Sequence, residues 1–159
     1  MAILSDETWK RHANPWSVWT RYAAFPVLVA AIWSRMWLGW GAIVPVTIVV
    51  AWLIWNPRAF PPPASTNNWA SKAVLGERIW VALKRDEVPP HHRIAPRVAC
   101  LFSAAGALAL VWGLVVFDTV VTVLAMLLVV VAKTWFVDRM VWLFDDMKDS
   151  KPEYRSWLY

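Results

Sequence analysis

The charges of this chain are kept out of four apolar runs, and that segregation constrains the fold more than any other feature. Residues 23–34, 42–55, 98–117 and 119–132 are free of Asp, Glu, Lys and Arg. A helix needs roughly 20 mostly apolar residues to cross a hydrocarbon core of about 30 Å. Each run reaches that length once its Trp-bearing flanks are counted. With 59% apolar and 17% charged residues, the 159-residue chain has the wrong composition for a water-soluble domain. An all-α integral membrane protein is expected.

The runs fall into two close pairs. One helix from Ala23 to Trp55 would be roughly 50 Å long at about 1.5 Å per residue, well beyond the hydrocarbon thickness. The chain must therefore turn, and Ser34–Gly41 is the place, because Arg35 is the sole charge there and a mid-membrane Arg costs about 2.5 to 3.5 kcal/mol. Asp118 marks a tighter turn in the second pair. The expected fold is four transmembrane helices as two hairpins, 16–55 and 98–147. A 1–15 arm, a 56–97 loop and a 148–159 tail surround them, all in one membrane domain.

Apart from Arg35, the Lys and Arg residues lie in or next to the arm, in the loop or toward the carboxyl end. The positive-inside rule then puts both termini and the central loop in the cytoplasm, with the protein in the cell's inner membrane. The net charge of +5 fits topology and anionic lipid, and no nucleic-acid partner is expected. Asp6 and Glu7, with no short apolar stretch before a cleavage site, argue against a signal peptide. Fourteen Trp cluster near the expected boundaries, the pattern of an aromatic belt. Trp16, Trp19, Trp33, Trp37, Trp55, Trp69, Trp80, Trp135 and Trp142 are the expected anchors, while Trp52 and Trp112 are placed deeper, between helices.

Pro26 and Pro45 are expected to kink the first two helices. Asn56–Pro63 reads as non-helical, leading the chain out as an extended polyproline segment. The caps in Ser65–Asn68 then start a helix over about 69–85. Its stripe of Trp69, Ala73, Gly76, Trp80 and Leu83, flanked by Lys72 and Lys84, makes it an amphipathic interfacial helix with the Trp stripe toward lipid, while Val74, Leu75, Ile79 and Val81 outside the stripe are expected to let it pack on the transmembrane bundle as well. Ser103, Gly106 and Gly113 give the third span a small-residue face for close helix contact. The fourth runs about 29 residues, so its last turns project into the cytoplasm.

Any site should form where ionisable groups converge at the inner interface: Arg58, Glu77, Arg78, His91, His92, Asp138, Arg139, Asp145 and Asp146. Asp138 is expected to pair with Arg78 or Arg58, and Arg139 to stack on Trp135. Adjacent histidines in a Pro-rich loop usually point different ways, and three His are too few for histidine-box di-iron chemistry, so no metal and no cofactor is expected. The single Cys100 excludes an internal disulfide or a cysteine-clustered metal site. No phosphate-binding glycine loop is present, and Ser103 and Cys100 have no His nearby in sequence.

Four segments together carry a family resemblance: Asn14–Arg21; Asn56–Arg58 with Phe60–Pro63; Asn68–Lys72 with Leu75–Arg78; and Trp135–Trp142. They resemble a family of small, uncharacterised multi-pass membrane proteins, a domain of unknown function in bacteria and archaea. The resemblance implies a membrane protein and no particular activity. The leading functional expectation is a non-enzymatic accessory or scaffold protein that binds anionic lipid or a protein partner, or forms a homo-oligomer, at the cytoplasmic interface. The alternatives are a small interfacial enzyme acting on a lipid or isoprenoid through Glu77, His91, His92, Asp138 and Arg139, and then an oligomeric transporter.

Overall fold

The computed structural model describes residues 5–84 and 86–159; Arg85, expected at the end of the interfacial helix, lies outside the described residues. The elements are α1 (Asp6–His12), α2 (Pro15–Trp33), a one-turn α3 (Arg35–Leu38), α4 (Ile43–Ala59), α5 (Trp69–Ala82), α6 (Ala95–Val116), α7 (Thr119–Met147) and α8 (Pro152–Ser156), with no strand among the described residues. Local sequence sets several starts. Asn14, Asn68 and Asp118 each accept a backbone N–H of the first turn they precede, in α2, α5 and α7.

Three helical stretches, rather than the expected four, are long and apolar enough to cross a membrane: Pro15–Ala59, Pro90–Val116 and Thr119–Met147. The expected break at Ser34–Gly41 is absent because the turn itself stays helical, through α3 and a 3-10 turn at Gly39–Ala42. The 45-residue first stretch is nevertheless bent back on itself. Straight, it would be about 67 Å long, yet Asn56 near its end hydrogen-bonds Ser17 and Thr20 near its start, both at 2.8 Å. The reversal uses Gly39 at φ 53°, a left-handed conformation that side-chain-bearing residues resist.

Two proline expectations change. Pro45 falls in the first turn of α4, where its missing N–H has no intrahelical partner to lose, so of the two prolines expected to kink a helix only Pro26 lies inside one, α2. The helix also continues through Pro57 to Ala59, and extended backbone begins only at Phe60. Pro57 removes one hydrogen bond from the last turn, and the buried contacts of the preceding Asn56 hold that turn in register.

α6 and α7 form the second hairpin. A Cβ on Gly106 would lie 3.0 Å from Val129 Cγ2, and one on Gly113 2.8 Å from Thr122 N, so the expected small-residue face is where α7 comes close. At the tip, Phe117 adopts φ 56° and Asp118 caps α7. Arg35 from the first hairpin donates to the carbonyls of Leu114 and Val115 and lies 4.5 Å over the Phe117 ring, so the two tips are joined by a cation at a helix C-terminus.

At the opposite end the chain's start, middle and finish meet. Arg78 of α5 pairs with Asp6 of α1 at 2.6 Å, lies 3.8 Å from Glu153 of α8 and stacks 4.0 Å over Trp157. Thr66 binds Trp157 and Tyr159 through three hydrogen bonds of 2.7–2.9 Å. The main core lies here, built from Trp9, Val74, Leu75, Ile79, Met140, Leu143 and Phe144 among others.

α5 sits inside this end. The stripe expected to face lipid faces protein instead: Ala73 and Gly76 are buried, and a Cβ on Gly76 would come within 1.8 Å of the Met140 carbonyl oxygen. The small residues between the two Trp form a groove, and the backbone of α7 fills it. Val74, Leu75 and Ile79, outside the stripe, are buried as well.

Candidate functional site

The α5–α7 junction orders most of the ionisable groups at this end. Trp69 Nε1 donates to Asp138 at 3.2 Å, Lys72 pairs with Asp145 at 3.1 Å, and Asp145 also takes Lys148 at 3.2 Å. Asp138 pairs with its neighbour Arg139 at 2.7 Å, not with Arg78 or Arg58 as expected. Arg78 is held by Asp6 and Trp157, and Arg58 is exposed, its carbonyl accepting from Arg11. Arg139 stacks on Trp142 at 3.9 Å rather than on Trp135, the other Trp of its helix face.

Beside α5, residues of α2, α4 and α7 line a half-open cavity of about 220 Å³. Its wall is mostly apolar (Val18, Phe25, Leu53, Val74, Val130 and Val137 among others), interrupted by Arg21, Tyr22, Glu77 and Lys133. Arg21 Nε donates to its own helix, to Ser17 O at 3.2 Å. Among the described residues, no carboxylate lies within 4.0 Å of Arg21 or Lys133, and no basic group within that distance of Glu77. Tyr22 Oη is buried near the Thr134 hydroxyl without a hydrogen bond of proper geometry. Glu77 and Lys133 also line a groove on the other side of α7, with Cys100 and Ser103. The arrangement is a largely apolar cavity carrying two cations and one anion, with the Lys133 ammonium 4.8 Å over the Phe136 ring and Tyr22 Oη as its buried unsatisfied polar atom.

Next to it lies a buried polar chain linking α1, α2 and α4. Asn56 Nδ2 donates to Thr20 Oγ1, while Ser17 Oγ donates to Asn56 Oδ1. The single Ser17 proton is thus committed, so His12 Nδ1–H must donate to Ser17 Oγ, at 3.1 Å. Burial first, then the charges of Arg21 and Lys133, lower the His12 pKa to about 3. The ring is neutral and serves as a fixed donor.

His91 and His92 do not diverge. Both Nε2 atoms meet Asp146 Oδ2, at 3.0 and 2.8 Å. The 3-10 turn Pro90–His92 that carries them is held by Arg93, which donates to the carbonyls of Val88 and Asp86.

The residues singled out from sequence therefore fall into separate groups. Asp138 and Arg139 lie with Trp69, Asp145 with two lysines, the histidines with Asp146, Arg78 in the clasp between chain ends, and Glu77 in the cavity. Among the described residues, Glu77, His91, His92, Asp138 and Arg139 do not meet at one place. Sequence reasoning missed Arg21, Tyr22, His12, Ser17 and Asn56. The available signal was that Ser17, Arg21 and Asn56 lie inside the segments that carry the family resemblance, as polar residues at the ends of otherwise apolar helices. Of the Trp set, Trp16, Trp19, Trp37, Trp55, Trp135 and Trp142 are exposed, whereas Trp33, Trp69 and Trp80 are partly buried. Trp69 stacks on Trp19 at 5.7 Å, and Trp112, expected between helices, is 64% exposed.

Fold and site define a class: an all-helical protein with three stretches apolar and long enough for a membrane, and a densely packed polar end. The chain belongs to a family of unknown function (DUF6653), whose model matches residues 2–157. No curated protein and no solved structure matches it.

Proposed function

We propose that this chain is a four-pass protein of the cell's inner membrane, with both termini cytoplasmic, that acts as a non-enzymatic accessory or scaffold protein by holding an anionic lipid at its inner end. Four passes follow if each leg of the bent first stretch crosses, which agrees with the chain's start, middle and end meeting at one end. The large apolar side chains exposed along α4, α6 and the first half of α7 support the same reading, since a water-exposed patch of that extent is rare.

The observation that carries lipid binding is the cavity. Arg21, half-buried, and Lys133, exposed, put two cations on the wall of this apolar cavity against one anion, Glu77, an excess of one positive charge. An acidic headgroup between Arg21 and Lys133, with an acyl chain along Val18, Phe25 and Val130, compensates the cations and fills the apolar volume. Tyr22 Oη adds a free hydrogen-bonding group.

The test is native mass spectrometry of protein extracted gently from its membrane. A retained anionic phospholipid, lost at least tenfold in an Arg21→Gln, Lys133→Gln double variant of unchanged thermal stability, is the expected result. A stoichiometric protein partner with no retained lipid would replace lipid holding by protein scaffolding. Equal retention of zwitterionic and anionic lipid would remove the role given to the two cations.

A further inference from the structure

The connector between α5 and α6 carries a second constellation that lipid binding does not use. His92 is buried, its imidazole only 4% exposed, and its Nε2 is aimed outward at Asp146. His91 and Asp146 are 66% and 53% exposed on the side chain, so the side away from His92 is open to solvent. The two imidazole rings lie 4.3 Å apart at an interplanar angle of 46°. One ligand atom from each of the three residues lies within 4.8 Å of the others.

Hydrogen bonds to Asp146 hold this convergence, and the same geometry suits a metal ion. Successive residues of a 3-10 turn point about 120° apart, yet both rings are brought to one carboxylate oxygen. Two neutral imidazoles can both serve Asp146 Oδ2 only if both carry the proton on Nε2. A metal ion makes both nitrogens ligands instead. Tetrahedral ligands at about 2.0–2.1 Å from zinc are separated by about 3.3 Å. The two His–Asp distances of 2.8 and 3.0 Å need to open by only a few tenths of an ångström, and the two histidine nitrogens, within 4.8 Å of each other, close to meet them. Preorganisation is already present: Pro89 and Pro90 restrict the backbone, Val88 is buried, and Arg93 ties two loop carbonyls.

We propose that His91, His92 and Asp146 form a binding site for one divalent transition-metal ion, with three protein ligands and a fourth position open to water. Two imidazole nitrogens and one carboxylate favour zinc-like ions over magnesium or calcium, which prefer all-oxygen sets. The ion clips the connector to the end of α7, the helix that also walls the lipid cavity, and its open position faces solvent. Asp146 then keeps its second oxygen free for the metal or its bound water. The site stands independently of lipid binding, because no residue is shared between the two.

The experiment is titration of the chelator-stripped full chain, in detergent, with Zn2+ alone and separately with Co2+ alone, read by calorimetry and by the visible absorption of cobalt. Expected are one ion per chain, a tetrahedral-type cobalt band and a raised melting temperature with zinc. His91→Gln and Asp146→Asn, at exposed positions, should melt as the stripped wild type does and weaken binding at least tenfold. His92→Gln should do the same to affinity while also lowering the metal-free melting temperature. No saturable binding at sub-millimolar metal overturns the proposal, as does affinity that survives in His91→Gln and Asp146→Asn.

Discussion

α7 passes through two environments with one kind of side chain. In its first half Val120, Val123, Leu124, Leu127 and Val131 are exposed; in its second half Phe136, Val137, Met140, Leu143 and Phe144 are buried. The molecule divides the same way. Toward the hairpin tips the core is four residues, Val29, Leu110, Leu114 and Ala125, while at the polar end it is seventeen among the described residues. The tip half is joined by glycine contacts and by Arg35 on carbonyls, the polar end by apolar burial and a buried hydrogen-bond chain. Where lipid is the solvent, apolar burial between helices gains little and close packing must suffice. Where water is the solvent, burial is the main driving force. With the tip half in lipid, as proposed, one chain uses two folding logics, with the cavity and its cations at their boundary.

Truncating the polar-end core tests this division most strongly. Phe144→Ala removes a fully buried ring and should destabilise by about 4 kcal/mol. The readout is a thermal melt in detergent at fixed composition; a shift near zero would mean that the polar end is not a true core. Gly76→Ala comes next, at about 3 kcal/mol, because its new Cβ meets the Met140 backbone, which cannot rotate away. Gly106→Ala, whose nearest obstacle is the tip of Val129, should cost less than about 1 kcal/mol. Equal costs at the two glycines would erase the distinction drawn between the helix pairs.

Acid should separate the two regions as well. His12 titrates near 6.5 when unfolded and at about 3 in the fold, so the unfolded chain binds the extra proton more readily. The stability this ring contributes is complete above about pH 6.5 and is lost as pH falls toward 3. At pH 5 the loss from this group is about 2 kcal/mol. Wild type compared with His12→Gln between pH 7.5 and pH 5 isolates it: the variant should lack that part of the acid slope. Identical slopes would show that the ring is not held neutral.

Much of the tip half was legible in the sequence, because the periodic absence of charge is a long-range signal that survives without knowledge of contacts. Gly106, Gly113, Arg35 and Asp118 were read in the places where the structure uses them. The first turn was readable as a reversal but not as a helical one, since nothing in Ser34–Gly41 distinguishes a 3-10 turn from a loop. The polar end was harder. Lipid and a neighbouring helix both accept a Trp–Ala–Gly–Trp stripe, and only the approach of α7 decides between them. Likewise His91 and His92 gain a common partner from Asp146, more than fifty residues away, and local sequence carries no record of that meeting.

The smallest effect expected is also the sharpest test of the outer surface. Leu108 is 74% exposed on α6, and a Leu→Ala change at a site already facing solvent removes little packing. In a water-soluble protein the change would slightly improve solubility; with detergent or lipid tails against that surface, it should alter stability by less than about 0.5 kcal/mol. Leu108→Asp separates the cases. On a lipid-facing helix the carboxylate costs about 2.5 to 3.5 kcal/mol of insertion free energy at mid-depth, lowering the yield in the membrane fraction while Leu108→Ala leaves it unchanged. If both variants accumulate in membranes as wild type does, α6 does not meet lipid at Leu108, and the tip half must be covered by another protein surface.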